Sequence, residues 1–188
     1  MEFKKTQLAD AVIIELKKIH DDRGFFARTW CEKELAKQGI SSRLVQANVS
    51  FNRLKGTLRG LHLQISPYQE AKFVRCVRGA IYDVIIDLRP SSPSYRQWVA
   101  VELTGSNHRM IYVPEGFAHG FQSLEDDTEV QYGVSAAYAP QAERGMRYDD
   151  PAFSISWPLA VTSISGKDRS WPDYLEHMIE NEAQTEKA

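Results

Sequence analysis

This sequence has few cysteines and a small net charge, and each of these features excludes classes of protein. The 188 residues include two cysteines, Cys31 and Cys76, which follow no metal-ligand spacing and match no disulfide-rich scaffold. The formal net charge is only −2, which gives no reason to expect a nucleic acid or an anionic membrane as a partner. A protein built around disulfides, a cysteine metal site or a polyanion is therefore not expected.

Long hydrophobic runs are also missing. No apolar stretch approaches the length of a transmembrane helix, and residues 1–5 lack the apolar core of a signal peptide. We therefore expect a cytoplasmic protein. The 43% hydrophobic and 26% charged residues are ordinary for a globular chain. We expect one domain over residues 1–188, in which residues 175–188 form a polar C-terminal tail.

What the sequence does contain is a series of short β-type segments separated by turn residues. The pattern predicts a helix at residues 30–38 that ends at Gly39, a polar turn at 20–24, and a short helix that begins at residue 174. Arg78-Gly79 is typical of a hairpin turn between two strands. The predicted strands cover residues 11–16, 45–51, 58–64, 72–77, 80–88, 97–103, 110–113, 117–123 and 129–136.

This pattern of strands favours an all-β fold. Strands that recur about every ten residues, with few helices, are typical of a β-sandwich or barrel of jelly-roll type. The sequence has no βαβ alternation, no glycine-rich phosphate loop and no internal repeat. In the predicted strand 80–88, Asp83 and Asp87 alternate with apolar residues, so we expect one face of that strand to carry polar groups into a cavity.

Two glycine-containing segments, residues 56–64 and 114–121, each hold one of only five histidines. Glycine allows the backbone to approach a ligand closely, and a histidine held there can act as a base near neutral pH. His62 is the leading candidate base, although a histidine in a strand is also commonly structural. Six basic residues lie near His62 in sequence and suit either a phosphate-bearing ligand or a solvated strand face: Arg53, Lys55, Arg59, Lys72, Arg75 and Arg78.

Three further residues are candidates for the functional site, and each has alternative roles between which sequence spacing does not decide. His119 suits a second base, a donor that orients the ligand, or a metal ligand. Metal-binding cupins usually place a second histidine two residues after the first, and Gln64 stands there, so we expect no metal. Tyr132 lies in a predicted strand, where an aromatic residue either packs or takes part in catalysis. Asp168 suits either a helix cap or the orientation of an imidazole.

Several segments stand in a fixed order from about residue 12 to residue 172. They are Asp22-Arg23-Gly24-Phe25-Phe26, the stretches 56–62, 72–75, 78–84, 114–121 and 129–132, Asp149-Asp150-Pro151, Trp157-Pro158 and Ser165-Gly166-Lys167-Asp168. Each motif is weak by itself. In this order they resemble the dTDP-4-dehydrorhamnose 3,5-epimerase family, whose fold is a cupin-like jelly roll.

The resemblance implies an enzyme that inverts C3, C5 or both carbons of a nucleotide-linked 4-keto-6-deoxyhexose, without a metal or other cofactor. His62, oriented by Asp168, would remove a proton beside the ketone. Tyr132 would return a proton on the opposite face, and Lys72 would stabilise the enolate oxygen. The substrate-binding residues implied are Gln46, Asn48, Arg59, His119, Glu143 and Lys167, with Arg23 and Phe26 reaching the nucleotide in a neighbouring subunit. A homodimer is therefore expected.

The sequence departs from the family pattern at the position of Arg28. A glutamate is usual there, near the nucleotide base, and a cation cannot replace its acceptor oxygens. The thymidine preference is therefore open, with a CDP- or GDP-linked sugar as the alternative. Smaller departures are the loop 49–55, which is usually shorter and rich in serine, and Gly133, which stands where lysine is usual.

Two other functions remain as alternatives. A 3,4-ketoisomerase of the same fold would usually pair histidines in the strand that holds His62, and it would leave Tyr132 without a role. A non-catalytic sugar-binding cupin would tolerate the loss of Tyr132 or Asp168, and both residues are present in their motifs. The sequence therefore favours the epimerase.

Overall fold

The computed structural model describes residues 1–174, which form 13 β-strands and two short α-helices. The helices are α1 (Glu32–Ala36) and α2 (Gly166–Arg169), and a 3-10 turn covers Pro140–Ala142. The strands are β1 (Glu2–Lys5), β2 (Val12–Glu15), β3 (Ile19–Asp21), β4 (Gly24–Phe26), β5 (Gln46–Asn52), β6 (Leu58–Gln64), β7 (Lys72–Arg78), β8 (Ala80–Asp87), β9 (Trp98–Thr104), β10 (Met110–Val113), β11 (Phe117–Ser123), β12 (Thr128–Val134) and β13 (Glu143–Gly145).

The strands form two large antiparallel sheets and one small one. The six-stranded sheet has the order β1-β2-β10-β7-β12-β5, and the five-stranded sheet has the order β13-β6-β11-β8-β9. Strands β3 and β4 pair only with each other. The predicted all-β, cupin-like sandwich with few short helices is confirmed, and the alternation of side chains along each strand determines which residues face the partner sheet.

The main core lies between the two large sheets. From the five-stranded sheet, Ile81, Ile85 and Phe117 contribute buried side chains, and from the six-stranded sheet Val74 and Val130 meet them. Each of these aliphatic or aromatic side chains removes enough apolar surface from water to stabilise the fold by about 1.5–3 kcal/mol. This core holds the two sheets at a fixed separation, and the cavity described below opens beside it.

The outer faces of both sheets are also covered in part. On the six-stranded sheet, Leu35 of α1 packs with Phe73 and Met110. On the five-stranded sheet, Met146 and Phe153 from the later part of the chain pack against the strands. The later segment therefore returns across β6, which places α2 beside that strand.

All nine strands predicted from the sequence are present, with bounds that differ by no more than two residues. The predicted hairpin at Arg78-Gly79 is wrong. Strand β7 pairs with β10 and β12, whereas β8 pairs with β9 and β11, so this tight turn carries the chain from one sheet to the other. Gly79 has φ +74°, and a Cβ there would lie 2.4 Å from Oγ1 of Thr128, so the corner requires glycine.

Other predictions were incomplete. The helix expected at 30–38 covers only Glu32–Ala36, with Cys31 as its N-cap and Lys37 as its C-cap. The turn expected at 20–24 is the centre of the exposed hairpin β3–β4. Strands β1 and β13 and helix α2 were not predicted as elements. The helix expected from residue 174 lies outside the described residues, apart from Tyr174 itself.

Candidate active site

A cavity of about 490 Å³ opens between the two large sheets. Strands β6 and β11 of one sheet and strands β7 and β12 of the other contribute its walls, and β13 and α2 close one side. A second lobe of about 360 Å³ shares part of this wall. The cavity brings together eight residues that the sequence indicated: Arg59, His62, Lys72, His119, Tyr132, Glu143, Lys167 and Asp168.

His62 and Asp168 form the central polar pair of the cavity. Nε2 of His62 lies 2.5 Å from Oδ1 of Asp168, 106 residues away in sequence. His62 points between the sheets from β6, and Asp168 is 5% exposed in the single turn of α2. Because the carboxylate accepts a hydrogen bond from Nε2–H, the lone pair of the neutral ring is left on Nδ1.

Ser165, and not Asp168, is the N-cap of α2. The Asp168 backbone N–H donates to Oγ of Ser165 at 3.0 Å, so Asp168 sits three residues after the cap with its carboxylate free for His62. Burial acts to raise the pKa of the Asp168 carboxyl, but the His62 imidazole and the Gly60 and Ser165 donors outweigh it, and the net pKa is lowered. The carboxylate is therefore ionised when it orients His62.

Tyr132 faces the same cavity from the opposite sheet. It lies on β12, packs against the main core, and lines both lobes. Burial raises the pKa of its phenol, the negative charge of Glu70 raises it further, and Arg59 lowers it. The phenol therefore keeps its proton at neutral pH.

Lys72 begins β7 and is 8% exposed. Its ammonium donates to the carboxylate of Glu70, two residues earlier in the chain. Both lobes are lined by Lys72, and Glu70 lines the second lobe. A cation at this position can stabilise negative charge that develops on a ligand oxygen in the cavity.

His119 is directly opposite His62 in the pairing of β11 with β6. Nε2 of His119 lies 2.8 Å from Oδ2 of Asp83, a fully buried residue on β8. Burial raises the pKa of the Asp83 carboxyl, and the charge and hydrogen bond of His119 partly offset the increase. Asp83 therefore contacts the site only through His119, and Asp87 bonds Arg89, Ser92 and Ser94. Neither carboxylate lines the cavity, so the expectation that this strand carries polar groups into it is not confirmed.

Glu143 lines the cavity and forms a salt bridge with Lys167 of α2. Its Oε2 lies 2.5 Å from Nζ of Lys167 and 2.5 Å from the hydroxyl of Tyr138. Burial acts to raise the pKa of the Glu143 carboxyl, but the Lys167 and Tyr138 donors and the His62 charge lower it below its usual value. The predicted residues Gln46 and Asn48 lie in the second lobe, where the amide of Gln46 donates to Oδ1 of Asn48 at 2.8 Å.

Arg59 is held at the mouth of the cavity by a buried amide. Its Nε donates to Oδ1 of Asn52 at 2.7 Å, and its Nη2 donates to the carbonyl of Phe51 at 3.2 Å. Asn52 is 1% exposed at the end of β5. Arg59 and Lys72 are the members of the predicted basic group that line the main cavity; Arg53, Lys55 and Arg78 do not line it, and Arg75 bonds Gln131.

Gly60 permits a close approach, but to the protein backbone. Its φ is +100°, and a Cβ there would lie 2.6 Å from the carbonyl oxygen of His119. The glycine therefore lets β6 approach β11 at the point where the two histidines meet, and it also lines the cavity, as the sequence indicated.

Arg23 and Phe26 are not in the cavity. Both belong to the exposed hairpin region β3–β4, where Arg23 pairs with Asp21 at 2.6 Å and Phe26 is 70% exposed. Arg28, the departure from the family pattern, donates to Oε1 of Glu34 at 2.7 Å, and the other oxygen of Glu34 accepts from the terminal amine of Met1.

Several residues of the site were missed by sequence analysis. Glu70, Asn52 and Tyr138 contact predicted site residues, and Trp171 packs edge-on against His62 with ring centroids 6.5 Å apart. The only sequence signal was proximity for Glu70, two residues before Lys72. Asn52 and Arg59 are seven residues apart and Tyr138 and Glu143 are five apart, but neither spacing is a pattern that indicates a contact. Trp171 and His62 are distant along the chain.

Gln64, the residue that argued against a histidine pair, has a structural role. Its amide nitrogen donates to the carbonyl of Tyr68 at 2.9 Å, and its oxygen accepts from the Ala139 backbone at 2.6 Å. Among residues 1–174 no group of three or more metal-ligating side chains was found. No helix in this part of the chain is long and apolar enough to cross a membrane.

The fold and the cavity together define a class: a cupin-like enzyme whose site is equipped for proton transfer. An oriented imidazole on one sheet and a protonated phenol on the other line the same cavity, and cations stand nearby to stabilise an oxyanion. This is the arrangement that an epimerase acting next to a carbonyl group requires.

Comparison with known proteins gives the family. The family model described as dTDP-4-dehydrorhamnose 3,5-epimerase matches residues 5–176. The dTDP-4-dehydrorhamnose 3,5-epimerase of Sinorhizobium fredii is 42% identical over 177 residues, which are 94% of this chain and 91% of that protein. The chain therefore belongs to the dTDP-4-dehydrorhamnose 3,5-epimerase family and is an isomerase of this type.

Comparison with solved structures supports the same family assignment. The enzyme of the same name from Bacillus anthracis, with TDP and pyrophosphate bound, superposes with a TM-score of 0.88 at 40% identity, covering 92% of this chain and 98% of that one. An epimerase from Legionella pneumophila, solved with dTDP-4-keto-L-rhamnose, has a TM-score of 0.82 at 40% identity and covers 89% of both chains.

Proposed function

We propose that this protein inverts C3 and C5 of a dTDP-linked 4-keto-6-deoxyhexose, with His62 as the base and Tyr132 as the proton donor. The observation that carries the proposal is the position of the two side chains on opposite sheets of one cavity. A sugar ring lying between them would present one face to the imidazole and the other to the phenol. Removal and return of a proton from opposite faces inverts a carbon.

The first step is loss of a proton from the carbon beside the ketone. The neutral ring of His62 takes this proton on Nδ1, and the ionised carboxylate of Asp168 stabilises the imidazolium through Nε2. The C–H electron pair moves into the carbonyl group and forms an enolate. Lys72 lies in both lobes and supplies the positive charge that stabilises the enolate oxygen.

The second step is protonation of the enolate from the other side. The phenol of Tyr132 donates its proton to carbon, the carbonyl group is restored, and a phenolate remains. Exchange with water then removes the proton from His62 and returns one to Tyr132, so each turnover starts from the same state. Only protons move between carbon, nitrogen and oxygen, and no substrate atom changes its oxidation state over the turnover, so the reaction needs no redox cofactor.

The remaining candidate residues are proposed to bind the nucleotide part of the substrate. Arg59, with a guanidinium fixed by Asn52, suits a diphosphate. His119 and Lys167 face the same lobe as Arg59. The second lobe, with the Gln46–Asn48 pair and Tyr138, offers amide groups and an aromatic ring for the base and sugar of the nucleotide.

The nucleotide is proposed to be thymidine diphosphate, in spite of Arg28. The guanidinium of Arg28 is neutralised by Glu34, so it does not present an unpaired cation to a base. The related proteins at about 40% identity are named for dTDP sugars, and two solved relatives hold TDP or a dTDP sugar. The same names motivate inversion at both C3 and C5.

We also propose a homodimer in which Arg23 and Phe26 reach the site of the neighbouring subunit, as the family resemblance implies. Exposed apolar residues support this assembly: Phe26 on the hairpin, and Val49 and Phe51 on the edge strand β5, are 70%, 61% and 48% exposed. A row of large apolar side chains on an edge strand is typical of a surface that another chain covers.

The test uses proton NMR in deuterated water with 4-keto-6-deoxyglucose linked to dTDP, CDP, GDP or UDP. We expect deuterium at C3 and C5 and a new sugar product with the dTDP compound, at a kcat/KM at least about tenfold above that of the other three. Label at C3 alone would restrict the reaction to one carbon. Absence of label with all four compounds would overturn the proposed function and favour a sugar-binding protein.

A further inference from the structure

Glu70 places a buried negative charge among the groups that the proposed function uses. It lies in the loop before β7, its side chain is 9% exposed, and its carboxylate accepts a hydrogen bond from the ammonium of Lys72. It also lines the second lobe together with Tyr132. An ionised side chain that is so little exposed is costly unless it is paired, and Lys72 supplies the pairing.

We propose that Glu70 is a positioning residue of the active site, which holds the ammonium of Lys72 at the junction of the two lobes and places a negative charge beside the phenol of Tyr132. The role of Glu70 in turnover rests on the proposed function. The electrostatic effect of Glu70 on the phenol of Tyr132 concerns the unliganded protein and can be tested without a substrate.

The first consequence concerns Lys72. An unpaired lysine side chain has four rotatable bonds and samples many positions, whereas the Glu70 carboxylate gives this one a single partner at the cavity wall. A fixed ammonium costs less reorganisation when an enolate forms than a mobile one. Glu70 therefore acts on the oxyanion through Lys72, without contact to the reacting carbon.

The second consequence concerns Tyr132. Glu70 raises the pKa of the phenol and Arg59 lowers it, while burial contributes the largest increase. The Glu143 carboxylate is paired with Lys167, and the Asp168 carboxylate is hydrogen-bonded to His62. The ionisable side chains lining the two lobes with Tyr132 are Arg59, His62, Glu70, Lys72, His119, Tyr138, Glu143, Lys167 and Asp168.

A change of Glu70 to Gln keeps the shape and an oxygen acceptor but removes the charge. The phenol of Tyr132 should then ionise at lower pH, since a negative neighbour no longer opposes the phenolate. In turnover, kcat should fall on the order of tenfold because Lys72 is held less firmly. The alkaline limb of the pH–rate profile should move to lower pH, a change that mere loss of packing would not cause.

The test is an ultraviolet titration of tyrosinate in the substrate-free protein. The Tyr132 contribution is obtained by subtracting the titration of the same variant that also carries Tyr132→Phe. We expect the titration midpoint of Tyr132 to move to lower pH in E70Q and to stay near that of the parent protein in Glu70→Asp.

Lys72→Gln should move the midpoint of Tyr132 to higher pH, because Glu70 loses its counter-charge. Glu102→Gln removes an exposed carboxylate on β9 and should leave it unchanged.

An E70Q titration that coincides with that of the parent protein would overturn the inference. So would an equal displacement in Glu102→Gln, because the effect would then be one of net charge. If E70Q does not fold, a Lys72→Gln titration that fails to move upward overturns it instead. Because no substrate enters the titration, a failure of the proposed epimerase reaction would appear separately, as absence of deuterium in the sugar.

Discussion

His62 and Tyr132 lie on different sheets of the sandwich and line the same cavity. His62 extends from β6 of the five-stranded sheet, and Tyr132 from β12 of the six-stranded sheet. The core between the sheets fixes their separation, so the two side chains are held apart by the fold itself and not by a flexible loop. An acid and a base arranged in this way can act on two faces of one flat substrate.

The His62–Asp168 pair predicts a pH-dependent contribution to stability. The pKa of Asp168 is lowered in the folded protein, so its contribution is present above the usual aspartate value of about 3.9 and is lost as pH falls through the lower folded value. Asp168→Asn should cost about 1.5–3 kcal/mol at neutral pH, as expected for a hydrogen bond to a charged group. Urea unfolding of both proteins from neutral to acidic pH measures the difference.

The difference between the two proteins should shrink at the acidic end of that series. A difference that stays constant down to the lowest pH would mean that the Asp168 carboxylate does not carry the effect. Ser165→Ala serves as the comparison, since it removes the cap of α2 but leaves the carboxylate in place.

Asn52 is predicted to act on substrate binding through Arg59. Asn52→Ala removes the oxygen that accepts from Nε of Arg59, so KM should rise on the order of tenfold while kcat changes little. Asn52→Asp keeps an oxygen acceptor for Arg59 but loses the amide donor to the carbonyls of Ser50 and Thr128. Steady-state kinetics of the two variants separate these contributions, and an equal rise of KM in both would argue against the role of the Arg59 contact.

Leu35 is predicted to be important for stability and not for chemistry. It is fully buried between α1 and the outer face of the six-stranded sheet, away from the cavity. Leu35→Ala should lower the free energy of unfolding by about 2–5 kcal/mol with kcat unchanged in the folded protein. Leu54→Ala, at a position that is 49% exposed, should change the free energy of unfolding by no more than about 0.5 kcal/mol. Urea unfolding compares the two, and equal losses would contradict the packing account.

The sequence predicted the strands well because each is a short β-type segment bounded by turn residues, and β6 and β11 were placed with the observed bounds. It could not predict pairing between distant segments. The turn at Gly79 has the composition of a hairpin, yet it joins two sheets, because β8 pairs with β9 and β11 and packs Ile81 and Ile85 into the core between the sheets. Local composition contains no information about such a choice.

The candidate site shows the same limit. His62, Tyr132 and Asp168 were indicated by the residues and by family resemblance, but the 2.5 Å contact between His62 and Asp168 depends on a helix of four residues that has no periodic pattern. Glu70 and Asn52 were missed because their importance comes from the charged side chains that they contact in the folded protein, Lys72 and Arg59. Burial and partner are properties of the folded chain, and a carboxylate in a loop or an amide at the end of a strand is usually solvated.

The most direct measurement of the central claim is hydrogen–deuterium exchange at C3 and C5 of the dTDP-linked 4-keto sugar, followed alongside product formation. With His62→Ala, both exchange and inversion should fall by about 10²–10⁴-fold. With Tyr132→Phe, inversion should fall much more than exchange, because the base on the first face remains. Full exchange in His62→Ala, or equal loss of exchange and inversion in Tyr132→Phe, would contradict a base and an acid acting from opposite sheets.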